Sequence, residues 1–576
     1  MKKYVKIFMA LCIMVVLALA GCSNANTQDS QSSQVGQTSE NGQSSENSQS
    51  GENNQGGENN QDGENNQDGE DNQGGDNNQS NQNNQSGQDN QSSQNNQNSQ
   101  NNQNNQSSQN NQSNQNNQGS QNNQNSNKGE VNASGTYTVG KDKLPYSDEQ
   151  IFNQMFDINN VIKIDIDITA NELLNIQKDY EEYRNKGSKS PIYRKASMYI
   201  TIETAKDCYT YYIQNIGIRM KGNTSRTDFY SKQDGQYNLI HYRVKFQDGE
   251  FATLDNLELK WNKCDDSTYI REYYAYEMFR ANGVLAPHVN LASTEIGGLH
   301  QGVFNIYEPI DKNFIEKNVA KEDQGGDLYK CGWTNRGADL TSGCSIGVED
   351  EEKSLFYNYD LKTNKSKSNH AQMKNLISVL NKRNVTKEEI AKVVDMDSFL
   401  MFSAVSYFVG NPDDMRNNYN NYYIYFLKSS GKAIFIPYDQ DRVLGVTKEW
   451  NPSNDAMTGV TPFSTKAKGA NDWQKNPLYL YTIDREQGKC LNEFTEALKK
   501  VAKSEWLTTE KFNSLFEIAK ANYSQYTTPG KVFGNAQGHY FKFDLNRSSG
   551  LGSADGNASF KEYLDAKLKA YKSYVQ

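Results

Sequence analysis

The chain has 576 residues, 35% of them hydrophobic, and a formal net charge of −10. The excess is local: residues 23–127 carry twelve carboxylates and no Lys or Arg, the leader adds Lys2, Lys3 and Lys6, and the remainder is close to neutral. That balance excludes a nucleic-acid binder, which needs a strong basic excess, and the remainder is longer than one hydrophobic core usually serves, so two lobes are expected.

The N-terminus comes first. Its three lysines precede an apolar run over 7–20 that is too short to span a bilayer comfortably. It reads as an export signal. Leu19-Ala20-Gly21-Cys22 looks like a bacterial lipobox, so residues 1–22 are read as a lipoprotein signal with Cys22 as the lipidated residue. The expected address is the extracellular face of the cell membrane, reached through a lipid anchor; an ordinary signal peptide with an incidental Cys is the competing reading. Residues 23–134 are almost wholly Asn, Gln, Ser, Gly, Glu and Asp. Without apolar side chains such a tract does not offset the entropy of ordering, and a disordered linker is expected. Its root-mean-square reach is roughly 60 Å, which suits a tether.

From about residue 135 the composition turns globular and aromatic. Alternating apolar residues predict strands over 161–168, 198–202, 209–213, 216–221, 242–246 and 257–261. In the fourth of these Arg219 and Lys221 share a face; in the fifth Arg243 and Lys245 do. A helix is predicted over 269–282, stopped by Gly283, then strands over 290–296 and 302–307. This antiparallel sheet with one inserted helix is the expected N-terminal lobe, residues 135–308. Residues 309–576 read as a helical C-terminal lobe: Asp397 is placed as the cap of an apolar helix ending at Val409, a hairpin turns at Ser429-Ser430-Gly431, and the tail from 477 is mostly amphipathic helix. Strands first and helices second is an α+β pattern.

Five cysteines remain beyond Cys22, at 208, 264, 331, 344 and 490, without CxxC spacing, which disfavours zinc and leaves a Cys331–Cys344 bridge open. Five histidines in all disfavour His-based metal or triad chemistry. Two acidic clusters stand out instead. Gly410-Asn411-Pro412-Asp413-Asp414-Met415-Arg416-Asn417-Asn418 ends one apolar element, and Ile436-Pro437-Tyr438-Asp439-Gln440-Asp441 ends another. The hairpin between them would bring Asp and Asn oxygens together, a donor set suited to Mg²⁺ or Mn²⁺. Taken singly, each cluster is equally a polar turn satisfied by its own side-chain hydrogen bonds.

The order of these segments resembles the CotH kinase family of spore-coat protein H-like atypical kinases. The resemblance rests on Gly217-Ile218-Arg219-Met220-Lys221-Gly222-Asn223-Thr224-Ser225, on Arg271-Glu272, and on Gly302-Val303-Phe304-Asn305-Ile306-Tyr307-Glu308. It is completed by Gly410-Asn411-Pro412-Asp413 with Asn421-Tyr422-Tyr423-Ile424-Tyr425, and by Pro437-Tyr438-Asp439-Gln440-Asp441. It implies a two-lobed, divergent protein-kinase-like fold, ATP with Mg²⁺ or Mn²⁺ as cofactors, and a Ser-rich or other secreted protein as acceptor.

It also implies roles. Asp413 or Asp414 would be the catalytic base, Asp439 and Asp441 the metal ligands, with Asn418 or Asn421 beside them. Arg219, Lys221, Asn223 and Ser225 would lie over the phosphates, although the loop lacks GxGxxG glycines. Lys245 would reach the phosphates with Glu272 or Glu277 as its ion-pair partner, and Glu308, in the segment 307–311 joining the lobes, would stand where adenine docks. Arg271 and Glu272 read equally well as a structural salt bridge. Two other functions stay open: a non-catalytic surface or spore-coat scaffold, and a different metal-dependent enzyme such as a phosphohydrolase.

Overall fold

The computed structural model describes residues 133–575, except 224, 234, 351–356, 447–460, 464–475, 530–531 and 548–557. The export signal, Cys22 and nearly all of the linker lie outside the described residues.

The first half runs β1 (Ala133–Thr138), α1 (Asp148–Met155), β2 (Val161–Asp167), α2 (Ala170–Asn185), β3 (Arg194–Glu203) and β4 (Asp207–Lys221). It continues through β5 (Tyr230–Ser231), β6 (Gln236–Tyr237), β7 (His241–Phe246), β8 (Asn256–Trp261), α3 (Arg271–Ala281), β9 (Val289–Ile296) and β10 (Leu299–Tyr307). The strands alternate as their sequences do. In β2, Ile162, Ile164 and Ile166 are buried while Asp165 and Asp167 face solvent.

These strands close on themselves. The sheet order β1-β4-β3-β2-β9-β10-β8-β7 has an extra pairing of β4 with β7, so seven strands form a barrel and β1 lies outside it. Closure depends on the length of β4: residues 207–212 pair with β1, and 216–221 pair with β7 along the same edge. A register shift in β3 between Ala196 and Met198 accompanies this bend. Ile164, Ile200, Ile218, Val244, Leu259 and Phe304 belong to the core that the barrel encloses. The expected antiparallel sheet is therefore a closed barrel, and two of its pairings, β2 with β9 and β1 with β4, are parallel.

The second half contains α4 (Lys312–Asn318), β11 (Leu328–Cys331), β12 (Ile346–Gly347), β13 (Tyr359–Leu361), α5 (Ala371–Leu380), α6 (Lys387–Ala391) and α7 (Met396–Val409). Then follow β14 (Tyr422–Phe426), β15 (Ala433–Pro437), α8 (Pro477–Thr482), α9 (Leu491–Ala502), α10 (Thr509–Tyr523) and α11 (Phe560–Val575). Helix α7 is apolar on all sides and buried from Phe402 to Val409, as a central helix must be. Its cap is Asp395, which accepts from Ser398 N, and not Asp397.

The region is less purely helical than its sequence suggests. It carries a second, five-stranded sheet in the order β12-β13-β11-β14-β15. Its tail also returns to the barrel, where Phe533, Ala536 and Phe541 join the barrel core. The chain is thus a mixed α+β protein. Cys208, Cys264, Cys331, Cys344 and Cys490 are free thiols, so the bridge left open between Cys331 and Cys344 is not formed. No described helix is long and apolar enough to cross a membrane.

Candidate functional site

Helix α7 stops at Gly410, whose φ of 66° is left-handed, and the chain then winds tightly around its own polar side chains. Asn411 joins the two acidic clusters: its Oδ1 accepts from Asp413 N at 2.9 Å, and its Nδ2 donates to Asp439 O at 3.2 Å. The Asp413 carboxylate accepts from Asn418 Nδ2 (2.6 Å), Asn420 Nδ2 (3.2 Å) and Asn421 Nδ2 (2.9 Å). Burial pushes its pKa up to about 6 against the pull of the Asn418 and Asn420 amides, and the charges of Asp439 and Asp441 push the same way as burial.

Asp414 does something else. Its Oδ1 accepts from Arg416 N at 3.0 Å and Asn417 N at 2.7 Å, holding the turn together, and it does not line the cavity described below. Of the two neighbouring aspartates, only Asp413 faces the cavity.

Asp439 follows β15 with a φ of 54°, a conformation that non-glycine residues rarely hold without support. Its Oδ1 accepts from Lys260 Nζ, and the same ammonium lies 3.2 Å from Glu272 Oε1. Glu272 accepts from Tyr307 OH through its other oxygen, with Asn305 Nδ2 at 3.4 Å. Lys260 is only 6% exposed. Burial alone would lower its pKa, but Asp439 and then Glu272 outweigh burial and hold it well above the ordinary lysine value. Burial would raise Asp439 too; Lys260 and Lys221 win, and its carboxyl falls well below the usual range. Glu272, opposed by Lys260, is the carboxyl that burial pushes up. Two carboxylates thus share one buried ammonium, and Asp439 keeps the charge.

The strand lysine that the structure brings to the acidic turns is Lys260, on β8, and not Lys245. Both point outward from the barrel, but α3 and the 439–441 turn cover Lys260, whereas Lys245 is solvent-exposed, opposite Asn256 and beyond the cavity. Glu277 pairs with Arg280 and takes no part. Glu308 is also displaced: it is buried between His288 Nδ1, at 2.7 Å, and Lys317, away from the cavity.

The cavity measures about 490 Å³ and lies between the outer barrel face at β4, β7 and β8 and the loops of the second sheet. Asp413, Asn418, Asn420, Asn421, Asp439 and Asp441 line it, together with Arg219, Lys221, Asn223 and Ser225. Thr224 of that loop lies outside the described residues. Gly222 has a φ of 122°, and a Cβ there would stand 2.3 Å from Ser225 Oγ, so the turn demands glycine. Lys221 Nζ is 2.9 Å from Glu258 Oε2 and 3.1 Å from Tyr438 OH. Among the described lining residues, ten are Lys or Arg and seven are Asp or Glu, a balance that favours a polyanionic ligand.

Lys330, which the sequence reading passed over, sits with Nζ 4.4 Å from the Tyr438 ring centroid. Burial, then Lys221, Lys362 and Lys189, push its pKa down to about 7. A lone lysine in Leu328-Tyr329-Lys330-Cys331 carries no sequence signal of this; only packing against Tyr438 reveals it.

The donor set suits a hard divalent cation. Among the described residues no three His, Cys, Asp or Glu side chains are close enough to hold a metal unaided. Mg²⁺ ordinarily takes one or two carboxylates and completes its shell with phosphate and water oxygens. Asp439 and Asp441 are the carboxylates that would hold such an ion, and the cavity they line measures about 490 Å³.

With this geometry established, comparison with known proteins is informative. The CotH kinase protein family matches residues 218–528, more than half of the chain and every residue of the cluster around Asp413, Asp439 and Lys260. The chain belongs to that family. A relative, the inner spore coat protein H of Bacillus subtilis (strain 168), is 26% identical over 234 residues. The alignment covers 40% of this chain and 59% of that relative, less than two thirds of its length. The CotH match begins inside β4 and ends just after α10, so β1 to β3 and α11 lie outside it.

Proposed function

We propose that the chain is an atypical protein kinase that moves the γ-phosphate of ATP, with Mg²⁺ or Mn²⁺, to a Ser or Thr hydroxyl of a surface or spore-coat protein. The observation that carries this reading is the Lys260–Glu272 pair meeting Asp439 at a cavity that Lys260, Asp439 and Asp413 line together. Phosphoryl transfer needs little covalent help from protein; it needs positioning, cations on the phosphate oxygens, and a carboxylate near the attacking hydroxyl.

Lys260 holds a fixed positive charge for the phosphates. Asp439 and Asp441, with the Asn418 and Asn421 side chains nearby, would hold the divalent ion, which neutralises developing charge when bound. Asp413 accepts the hydroxyl proton. Its pKa of about 6 leaves it ionised, yet still basic, near neutrality. Lys221 and Arg219 line the same cavity for the remaining phosphates. In this reading the barrel and its helix α3 stand where a kinase has its N-terminal lobe, and the α7–β15 region stands where it has its C-terminal lobe. The lipobox and linker would tether the enzyme outside the cell, consistent with a relative named as a coat protein.

The test is incubation of the full chain with γ-labelled ATP and Mn²⁺ beside its Asp439→Ala variant. Label entering protein in the wild type and absent from the variant is the expected result. Free phosphate alone would mean hydrolysis, and nucleotide-independent binding to coat or wall proteins with no label transfer would mean a scaffold.

A further inference from the structure

Helix α3 opens with two charged residues whose fates differ. Glu272 faces the cavity lysine, while Arg271 turns the other way and is 0% exposed. A guanidinium removed from water must find its partners inside the protein. Arg271 Nε lies 3.2 Å from Asp266 Oδ1, and Asp266 Oδ2 in turn accepts from Arg271 N at 3.0 Å. Its Nη1 donates to two carbonyls, Leu444 O and Ala558 O, both at 2.9 Å.

Those two carbonyls belong to distant parts of the chain. Leu444 lies three residues after Asp441, and its N–H donates to Val409 O at the end of α7, just ahead of the Asp413 loop. Gly445 O accepts from Ala558 N at 2.8 Å, which fixes the entry to α11 against the same turn. One turn into α11, Tyr563 OH donates to Phe408 O at 2.8 Å. Gly445 has no space for a side chain: with φ at 88°, a Cβ would stand 2.9 Å from Tyr563 Cβ. One buried guanidinium therefore ties the start of α3 to the turn after Asp441 and to the start of α11, and those two segments in turn hold the end of α7 through Leu444 N and Tyr563 OH.

We propose that Arg271 is a positioning residue that holds the Asp413 and Asp439–Asp441 segments in register with the Lys260–Glu272 pair, and that residues 558–575, outside the family match, are a working part of the site through it. Arg271 touches neither nucleotide nor acceptor. It acts by fixing the backbone carbonyls of Leu444, just after the acidic turn, and of Ala558, just before α11, so its loss would leave the ligands of the site present but misplaced. A displacement of about 1 Å is enough to cost roughly 10²-fold in rate. The catalytic part of the proposal rests on the phosphoryl-transfer reading; the structural part does not.

The experiment compares the full-length wild type with Arg271→Lys, Arg271→Met and Tyr563→Phe by amide hydrogen exchange and by ATP-dependent label transfer. Lysine keeps a charge beside Asp266 and donors for the carbonyls, whereas methionine keeps neither, so the effects should be graded, with Lys milder than Met; Tyr563→Phe removes one hydrogen bond at the same junction and leaves the Arg271–Asp266 pair intact. Expected is an increase in exchange of about tenfold or more in peptides over 408–421 and 437–446, with β2 and β3 unchanged. Turnover should fall by roughly 10²-fold while KM for ATP stays nearly constant. Exchange that is unchanged at those two segments, or that rises equally through the barrel, would overturn the proposal, because either result makes Arg271 a general stabiliser or nothing. If the wild type transfers no phosphate, the kinase reading fails by itself, and the exchange comparison alone decides whether Arg271 positions the two acidic segments.

Discussion

Two adjacent aspartates at the end of α7 have opposite tasks. Asp413 presents its carboxylate to the cavity under three asparagine amides, whereas Asp414 uses one oxygen to hold two backbone N–H groups. Asparagine keeps such an oxygen, so Asp414→Asn should preserve the turn and most of the turnover. Asp413→Asn removes the proposed proton acceptor and should lower label transfer by about 10²–10⁴-fold. The pH dependence follows from the raised pKa. A carboxyl with a folded pKa of about 6 is protonated below that value, so transfer should climb as pH rises through about 6 and level off above it. A flat profile between pH 5 and 7 would remove Asp413 from that role. The lysines divide in the same way. Lys260→Met should cost about 10²–10³-fold in turnover, while Lys245→Met, at an exposed barrel position, should leave it unchanged.

At the scale of elements, the strands and the inserted helix were legible because alternation and helical spacing are local properties. Barrel closure was not. It depends on one long strand, β4, dividing one edge between β1 and β7, and non-local pairing leaves no local mark. The same limit applies to the two strand lysines. Phe246 and Leu257 both point into the barrel core, and Lys245 and Lys260 are equally good outward positions. What separates them is the cover that Glu272 of α3 and Asp439 give Lys260. The acidic clusters, by contrast, were legible as a pair because a short hairpin joins them, and β14–β15 pairing does bring their ends together. The tail was read as mostly amphipathic helix, which gives no hint that Phe533 is 0% exposed inside the barrel core. Phe533→Ala should therefore cost roughly 3–5 kcal/mol. Chemical denaturation would measure this, and a loss below about 1 kcal/mol would show that the returning tail does not support the barrel.

The described residues set a barrel against a helical body that carries its own sheet, with a cation-rich cavity where the acidic turns of the second meet the outer face of the first. Membership of the CotH kinase family and this arrangement of Lys260, Glu272, Asp413 and Asp439 converge on nucleotide-dependent phosphoryl transfer as the proposed activity. The most direct measurement is a crystal structure of the chain with Mn²⁺ and a non-hydrolysable ATP analogue, with the metal located by its anomalous signal. The account predicts manganese bound to Asp439, a phosphate oxygen against Lys260 Nζ, and the γ-phosphate facing Asp413. Nucleotide bound elsewhere, or a cavity that takes neither metal nor analogue at millimolar concentration, would contradict it.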